Sequence, residues 1–174
     1  MKSSKRLAPV FATALLLASA CDQKRDRAVT GDPSTASSSS AKSIASAPFV
    51  ITALSPTDGE LAPLLKAEVA KAKKSNLKPF VEFHAAWCGP CVALEKSMSD
   101  QRMIDAFDGT YVIRLDLDDW SSKLEGTGFR ANAIPVFYRL DDDGKPTGKT
   151  IDGGAWEDNI PENMAPPLKA FFRS

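Results

Sequence analysis

From Phe49 onward the chain switches between two hydrophobic rhythms, one repeating every second residue and one every third or fourth. Phe49-Val50-Ile51 opens the pattern as an ordered entry strand. Leu61, Leu64, Leu65, Val69 and Ala72 then recur at helical spacing, and Lys66, Lys71, Lys73 and Lys74 fill the opposite, solvated face. Thr57 and Glu60 have the spacing of a capping box, although Pro63 places the true helix start a few residues later. Asn76 closes this helix, and Pro79 introduces the apolar run Phe80 to Phe83. Beyond it, Leu94 and Met98 continue a helical face, and Ser99-Asp100 breaks it and caps a second short helix carrying Met103, Ile104 and Phe107. Tyr111 to Leu117 reads as a half-buried strand, with Asp116, Asp118 and Asp119 marking its exit into a loop. Leu124 and Phe129 belong to a short helix and turn. Ile134 to Leu140 and Lys149 to Ile151 flank the hairpin signal Asp143-Gly144. A closing helix runs to Phe172 from about Glu157 or Glu162, its boundaries blurred by Pro161 and Pro166-Pro167. Strands alternating with helices, then a hairpin and a helix, predict an α/β sandwich.

The N-terminus follows another pattern. Lys2, Lys5 and Arg6 precede a small and apolar run, Leu7 to Ala20, which is too short to span a bilayer and has the length of a secretory leader. Its end, Leu17-Ala18-Ser19-Ala20-Cys21, resembles the lipobox of bacterial lipoproteins, with Ala18 in place of the commonest leucine. That resemblance implies a leader over 1–20, acylation of Cys21, a membrane anchor and a periplasm-facing place in a bacterial cell envelope. An ordinary leader followed by a free cysteine is the other reading. Asp22 resembles the inner-membrane retention signal of some proteobacteria. The stretch to residue 48, rich in Ser, Ala and Thr, cannot bury enough apolar surface to order itself and reads as a tether with a reach of roughly 30 Å. The folded domain is expected over 49–174.

Composition adds limits. The 174 residues balance 22 basic against 22 acidic side chains, which offers nothing to nucleic acid, and removal of the leader leaves the chain net negative. Three cysteines are too few for a disulfide scaffold.

The chemistry concentrates in Phe80-Val81-Glu82-Phe83-His84-Ala85-Ala86-Trp87-Cys88-Gly89-Pro90-Cys91. An apolar strand runs into a sharp turn with two cysteines and then a helix. Two thiols at this spacing can close into a disulfide, and one at a helix N-terminus is favoured as thiolate by the helix dipole. The stretch therefore supplies a nucleophile and a resolving partner for disulfide exchange. A plain disulfide or half of a zinc site is the alternative, but structural zinc takes four ligands, and His84 is the sole histidine.

Trp87-Cys88-Gly89-Pro90-Cys91 after an apolar strand resembles the active-site signature of the thioredoxin family. The resemblance covers about 49–174 and implies the thioredoxin fold, a central mixed β-sheet flanked by helices, with the Cys88/Cys91 dithiol as redox centre and no other cofactor or metal. It makes Cys88 the more exposed nucleophile and Cys91 the buried resolving thiol. Gly89-Pro90 accompanies the family's reducing members. Glu82 matches a buried carboxylate, usually aspartate, that exchanges a proton with the resolving thiol; a solvated glutamate is the plainer alternative. Pro135 matches a cis proline, so that Ile134 would offer its backbone to an extended peptide, with Trp87, Gly89 and Pro90 completing the substrate surface. His84 stands where relatives often carry an aromatic residue, and either packs or tunes the thiolate. Arg114 aligns with a lysine near the buried carboxylate, although a solvated arginine is simpler. Trp120 and Trp156 have no evident chemistry.

Together these features imply an extracytoplasmic thiol–disulfide oxidoreductase, a monomer, reducing protein disulfides and recharged by a membrane electron donor. It is similar to the C-terminal domain of the inner-membrane disulfide reductase in the run Cys91 to Lys96 and in Ser99-Asp100. A disulfide oxidase or isomerase, or a non-catalytic peptide- or metal-binding module, are the rival readings.

Overall fold

The computed structural model describes residues 48–174. The expected leader, Cys21 and the tether up to residue 47 lie outside the described residues. The domain is built on β2, Lys78–His84, which lies at the centre of a five-stranded sheet. On one side β2 pairs in parallel with β3, Thr110–Asp116, which in turn pairs in parallel with β1, Val50–Leu54. On the other side it pairs antiparallel with β4, Val136–Leu140, and a hairpin brings back β5, Pro146–Asp152, as the far edge. The sheet order is β1-β3-β2-β4-β5. Pro146 begins an edge strand, where its missing N–H costs no ladder bond.

Side-chain alternation along β2 divides the core into two layers. Val81 and Phe83 point toward α1, Leu61–Lys74, whose Leu61, Leu65, Val69 and Ala72 are buried against them. Phe80 points the other way, toward α3, Gln101–Phe107, and α5, Pro161–Arg173. There Phe172 is the hub. Its ring lies 4.8 Å from Phe80, 4.9 Å from Phe107 and 5.3 Å from Phe137, centroid to centroid. Such tilted and edge-on contacts add about 0.5–1.5 kcal/mol each beyond area burial.

Several expectations need correction. β3 is buried along most of its length and is not half-buried, because it lies inside the sheet with helices covering both faces. The Asp116–Asp119 exit is not a loop: Asp116 caps a one-turn helix α4, Leu117–Trp120, by accepting from Asp118 N–H at 2.9 Å. The Thr57/Glu60 capping box does not form. Thr57 Oγ1 bonds Ser55 Oγ instead, and α1 begins at Leu61 without a side-chain cap. Pro63 is accommodated in the first turn, where no intrahelical N–H is required. At the other end Asn76 adopts φ 56° and closes a Schellman motif, Leu77 N–H donating to Ala72 O at 2.9 Å and Asn76 N–H to Lys73 O at 3.0 Å.

Pro166 and Pro167 do not interrupt α5. Each removes a helical hydrogen bond and costs roughly 3 kcal/mol in an isolated helix. Met164, Leu168 and Phe172 are fully buried, and each large apolar side chain contributes roughly 1.5–3 kcal/mol. Tertiary burial therefore holds a helix that local propensity opposes.

Candidate active site

The C-terminal end of β2 delivers the chain into a tight turn. Cys88 N–H donates to Ala85 O at 3.1 Å, and Cys88 then becomes the N-cap of α2, Gly89–Lys96. Its Sγ accepts from Cys91 N–H at 3.2 Å, taking the place of a capping oxygen, while Pro90 stands in the first turn. Cys88 and Cys91 are joined as a disulfide with their Cα atoms 5.2 Å apart. On reduction, the free N–H groups of the first turn and the helix dipole favour a thiolate at Cys88.

The expected difference in exposure is absent. Cys88 is 4% and Cys91 5% exposed. Ala85 clusters with the two cysteines and Ile134 packs against that cluster, so the closed ring is sheltered as a unit. The two residues differ instead in what they face. Cys88 lies on the wall of an open cavity of about 380 Å³, with Trp87, Gly89, Pro90, Leu117 and Ile134 also lining it. Cys88 Sγ is 3.5 Å from the carbonyl oxygen of Ile134. The Ile134–Pro135 peptide is cis, as expected, and Pro135 O accepts from Gly153 N–H at 3.0 Å. Trp87 is exposed, and its indole N–H is shared between the two carboxylate oxygens of Asp118 at 2.9 and 3.1 Å. The structure thus gathers Trp87, Cys88, Gly89, Pro90, Ile134 and Pro135 at one place.

Cys91 faces a second, smaller cavity of about 120 Å³, shared with Glu82, His84, Glu95, Arg114 and Asp116. Sheet register explains the grouping, because parallel pairing sets Glu82 beside Arg114 and His84 beside Asp116. Glu82 is 1% exposed, which excludes the solvated alternative. Arg114 is not solvated either. Its Nε donates to Glu82 Oε2 at 2.8 Å and its guanidinium reaches Glu95 Oε1 at 3.2 Å. Burial pushes the Glu82 carboxyl above its ordinary pKa, and the Arg114 charge and hydrogen bond reverse only part of that rise. For Arg114 burial works downward, but the two carboxylates outweigh it and hold the guanidinium above its ordinary value. Among the described residues, no cluster of three or more His, Cys, Asp and Glu side chains is arranged to hold a metal ion.

Three further site residues escape a reading of the sequence. Glu95 follows Cys91 by one helical turn, and that spacing was a usable signal. Asp116 appears only through the sheet register. Asp118 meets Trp87 from 31 positions away, and no local pattern announces the pair. Trp120 and Trp156 prove structural. The Trp120 indole donates to Leu54 O at 3.0 Å and that of Trp156 to Asn159 Oδ1 at 2.9 Å, both rings being buried.

A family model described as thioredoxin-like matches residues 62–147. "Thioredoxin Asp f 28" of Aspergillus fumigatus is 30% identical over 86 residues, which span 49% of this chain and 75% of that protein. The chain belongs to the thioredoxin family. "Thioredoxin H2" of Arabidopsis thaliana is 31% identical over 95 residues, 53% of this chain and 65% of that protein. Among solved structures, the disulphide isomerase from Xylella fastidiosa Temecula1 is 24% identical with a TM-score of 0.49, covering 64% of this chain and 87% of that one. This thioredoxin relative is a thiol–disulfide oxidoreductase, and the redox group is the Cys88/Cys91 pair at the N-terminus of α2.

Proposed function

We propose that this oxidoreductase works outside the cytoplasm, anchored through acylated Cys21, and reduces disulfides in other proteins. The observation that carries the reading is the setting of Cys88, at a helix N-terminus and on the wall of an open, largely apolar groove beside Ile134.

In the reduced protein, Cys88 thiolate attacks one sulfur of a substrate disulfide. The other substrate sulfur leaves as thiolate and takes a proton from solvent. Ile134 holds the extended substrate through its backbone, while Trp87, Gly89, Pro90 and Pro135 form the apolar bed. Cys91 then gives its proton to the Glu82 carboxylate across their shared cavity, and its thiolate attacks Cys88 Sγ. The second substrate thiol is released. Two electrons have passed to substrate, and the protein is left with the Cys88–Cys91 disulfide of the present structure. An oxidising compartment offers no thiol pool for recharging, so a membrane dithiol donor closes the cycle. The Gly89-Pro90 pair and the leader ending at Cys21 support this direction and place, and the domain acts as a monomer. Glu82 stands where relatives commonly have aspartate. Its longer side chain is turned toward Arg114, and it lines the same cavity as Cys91.

The deciding experiment is the reduction potential of the Cys88/Cys91 pair in the full chain, equilibrated against glutathione and dithiothreitol. A value near that of a reducing thioredoxin, about −270 mV, is expected. A value above the glutathione range, by even the roughly 30 mV that corresponds to 1.4 kcal/mol, makes the protein an oxidase or isomerase. No exchange at all makes it a binding module.

A further inference from the structure

Glu82 is completely enclosed, yet the proposed exchange requires it to take up and release a proton in every cycle. Arg114 covers one carboxylate oxygen, and the body of the sheet lies behind. The opening left to it is the cavity it shares with Cys91. At about 120 Å³, and walled by Ala85, Ala86 and Val92 as well as by charged and polar side chains, that cavity has room for several waters. The side chains on its outer wall differ in what they can do. Glu95 is held by Arg114. Asp116 is engaged as the cap of α4. Arg114 stays charged. His84 remains. It is two residues beyond Glu82 on the same face of β2, half-buried, and so touches both cavity and solvent.

We infer that His84 is the proton relay of this site, carrying the resolving thiol's proton from the Glu82 cavity to solvent. This rests on the proposed role of Cys91 as resolving thiol with Glu82 as its base. In the resolving step the Cys91 S–H proton moves to Glu82 as the Cys91–Cys88 bond forms and the substrate sulfur departs. The proton then passes along cavity water to one imidazole nitrogen, and the other nitrogen releases its own proton to solvent. Imidazole is suited to this because one ring nitrogen can accept a proton while the other donates one. Charge couples the two groups as well. An imidazolium at His84 favours ionised Glu82, so a proton arriving at one promotes loss from the other. Facing His84 and its cavity are Glu82 from β2, Cys91 and Glu95 from α2, and Arg114 and Asp116 from β3.

The test uses the reduced full chain carrying Cys21→Ser, which leaves Cys88 and Cys91 as the thiols. Reaction with 5,5′-dithiobis(2-nitrobenzoate) releases one chromophore when Cys88 attacks and a second when Cys91 resolves. His84→Gln should slow the second phase by about fivefold or more between roughly pH 6 and 8, a modest share of what general acid–base groups contribute. His84→Phe should match it, and added imidazole should restore the rate in both. The first phase, which needs Cys88 alone, reports that α2 is intact. A second phase with wild-type rate and pH profile in His84→Gln overturns the relay. So does a slowed phase that imidazole leaves untouched, since that marks a packing role. Glu82→Gln run in parallel separates the two ideas: a normal second phase there removes the Glu82 role, whatever His84 does.

Discussion

The indole N–H of Trp87 is held by the Asp118 carboxylate, at 2.9 Å from Oδ2 and 3.1 Å from Oδ1, although the residue is 66% exposed. A large apolar surface is thereby kept in one orientation at the edge of the Cys88 groove. The pair lies in water, so its contribution to stability is small. In Asp118→Ala the ring loses its tether and must be ordered by the substrate itself. The expected result is a several-fold lower kcat/KM for a protein disulfide, with unfolding midpoint and reactivity toward a small aromatic disulfide nearly unchanged, since ordering one side chain costs about 0.5–1.5 kcal/mol. Equal losses on both substrates would argue that Asp118 acts on Cys88 directly.

Glu82 makes stability depend on pH. A carboxyl whose pKa is raised by burial binds its proton more tightly in the folded chain than in the unfolded one. Stability from this group therefore falls as pH climbs from the unfolded value of 4.5 through the raised folded value. Glu82→Gln abolishes that slope while leaving Arg114 its contact with Glu95. Urea unfolding of the oxidised protein at pH 5 and pH 8 is the measurement. The variant should compare more favourably with wild type at pH 8, and a difference that ignores pH would contradict the burial argument.

Cys91→Ser should stop the cycle after its first half. Cys88 still attacks, nothing resolves the product, and a mixed disulfide with substrate accumulates that dithiothreitol reverses. Cys88→Ser should form none. Non-reducing electrophoresis with mass measurement reads both, and a Cys91→Ser protein that never traps a substrate would sink the exchange mechanism.

Gly144 tests the frame that supports the site. It has φ +81° in the β4–β5 hairpin, and a Cβ there would meet the backbone carbonyl carbon and Cβ of Leu65 and the amide nitrogen of Lys66, each at 3.0 Å. Gly144→Ala combines a left-handed backbone with a clash against α1 that no flexible side-chain tip can relieve. A loss of about 1–3 kcal/mol in denaturant unfolding is expected, with the potential of the disulfide unmoved. A neutral outcome would mean that the hairpin shifts freely from α1.

The alternation of strand and helix and the position of the cysteine turn were legible because each rests on local pattern. Apolar periodicity marks β2 and α1, and Asp143-Gly144 marks its hairpin, from a few neighbouring residues. What was illegible depends on sheet register and on burial by distant elements. Arg114 reads as a solvated cation until parallel pairing seats it on Glu82. β3 looks half-buried until β1 and β2 enclose it. Pro166 and Pro167 argue for a helix end, and only the buried Met164, Leu168 and Phe172 overrule them. The equal shelter of the two cysteines is of the same kind, set by Ala85 and by Ile134, which comes from 46 residues after Cys88.

The two cavities flanking the disulfide have different walls, Trp87, Cys88 and Ile134 on one and Glu82, His84 and Cys91 on the other. A docked polypeptide can seal the first and leave the second open. Traffic in electrons and traffic in protons then use different doors, and a tightly seated substrate does not trap the hydrogen ion that its own reduction sets loose.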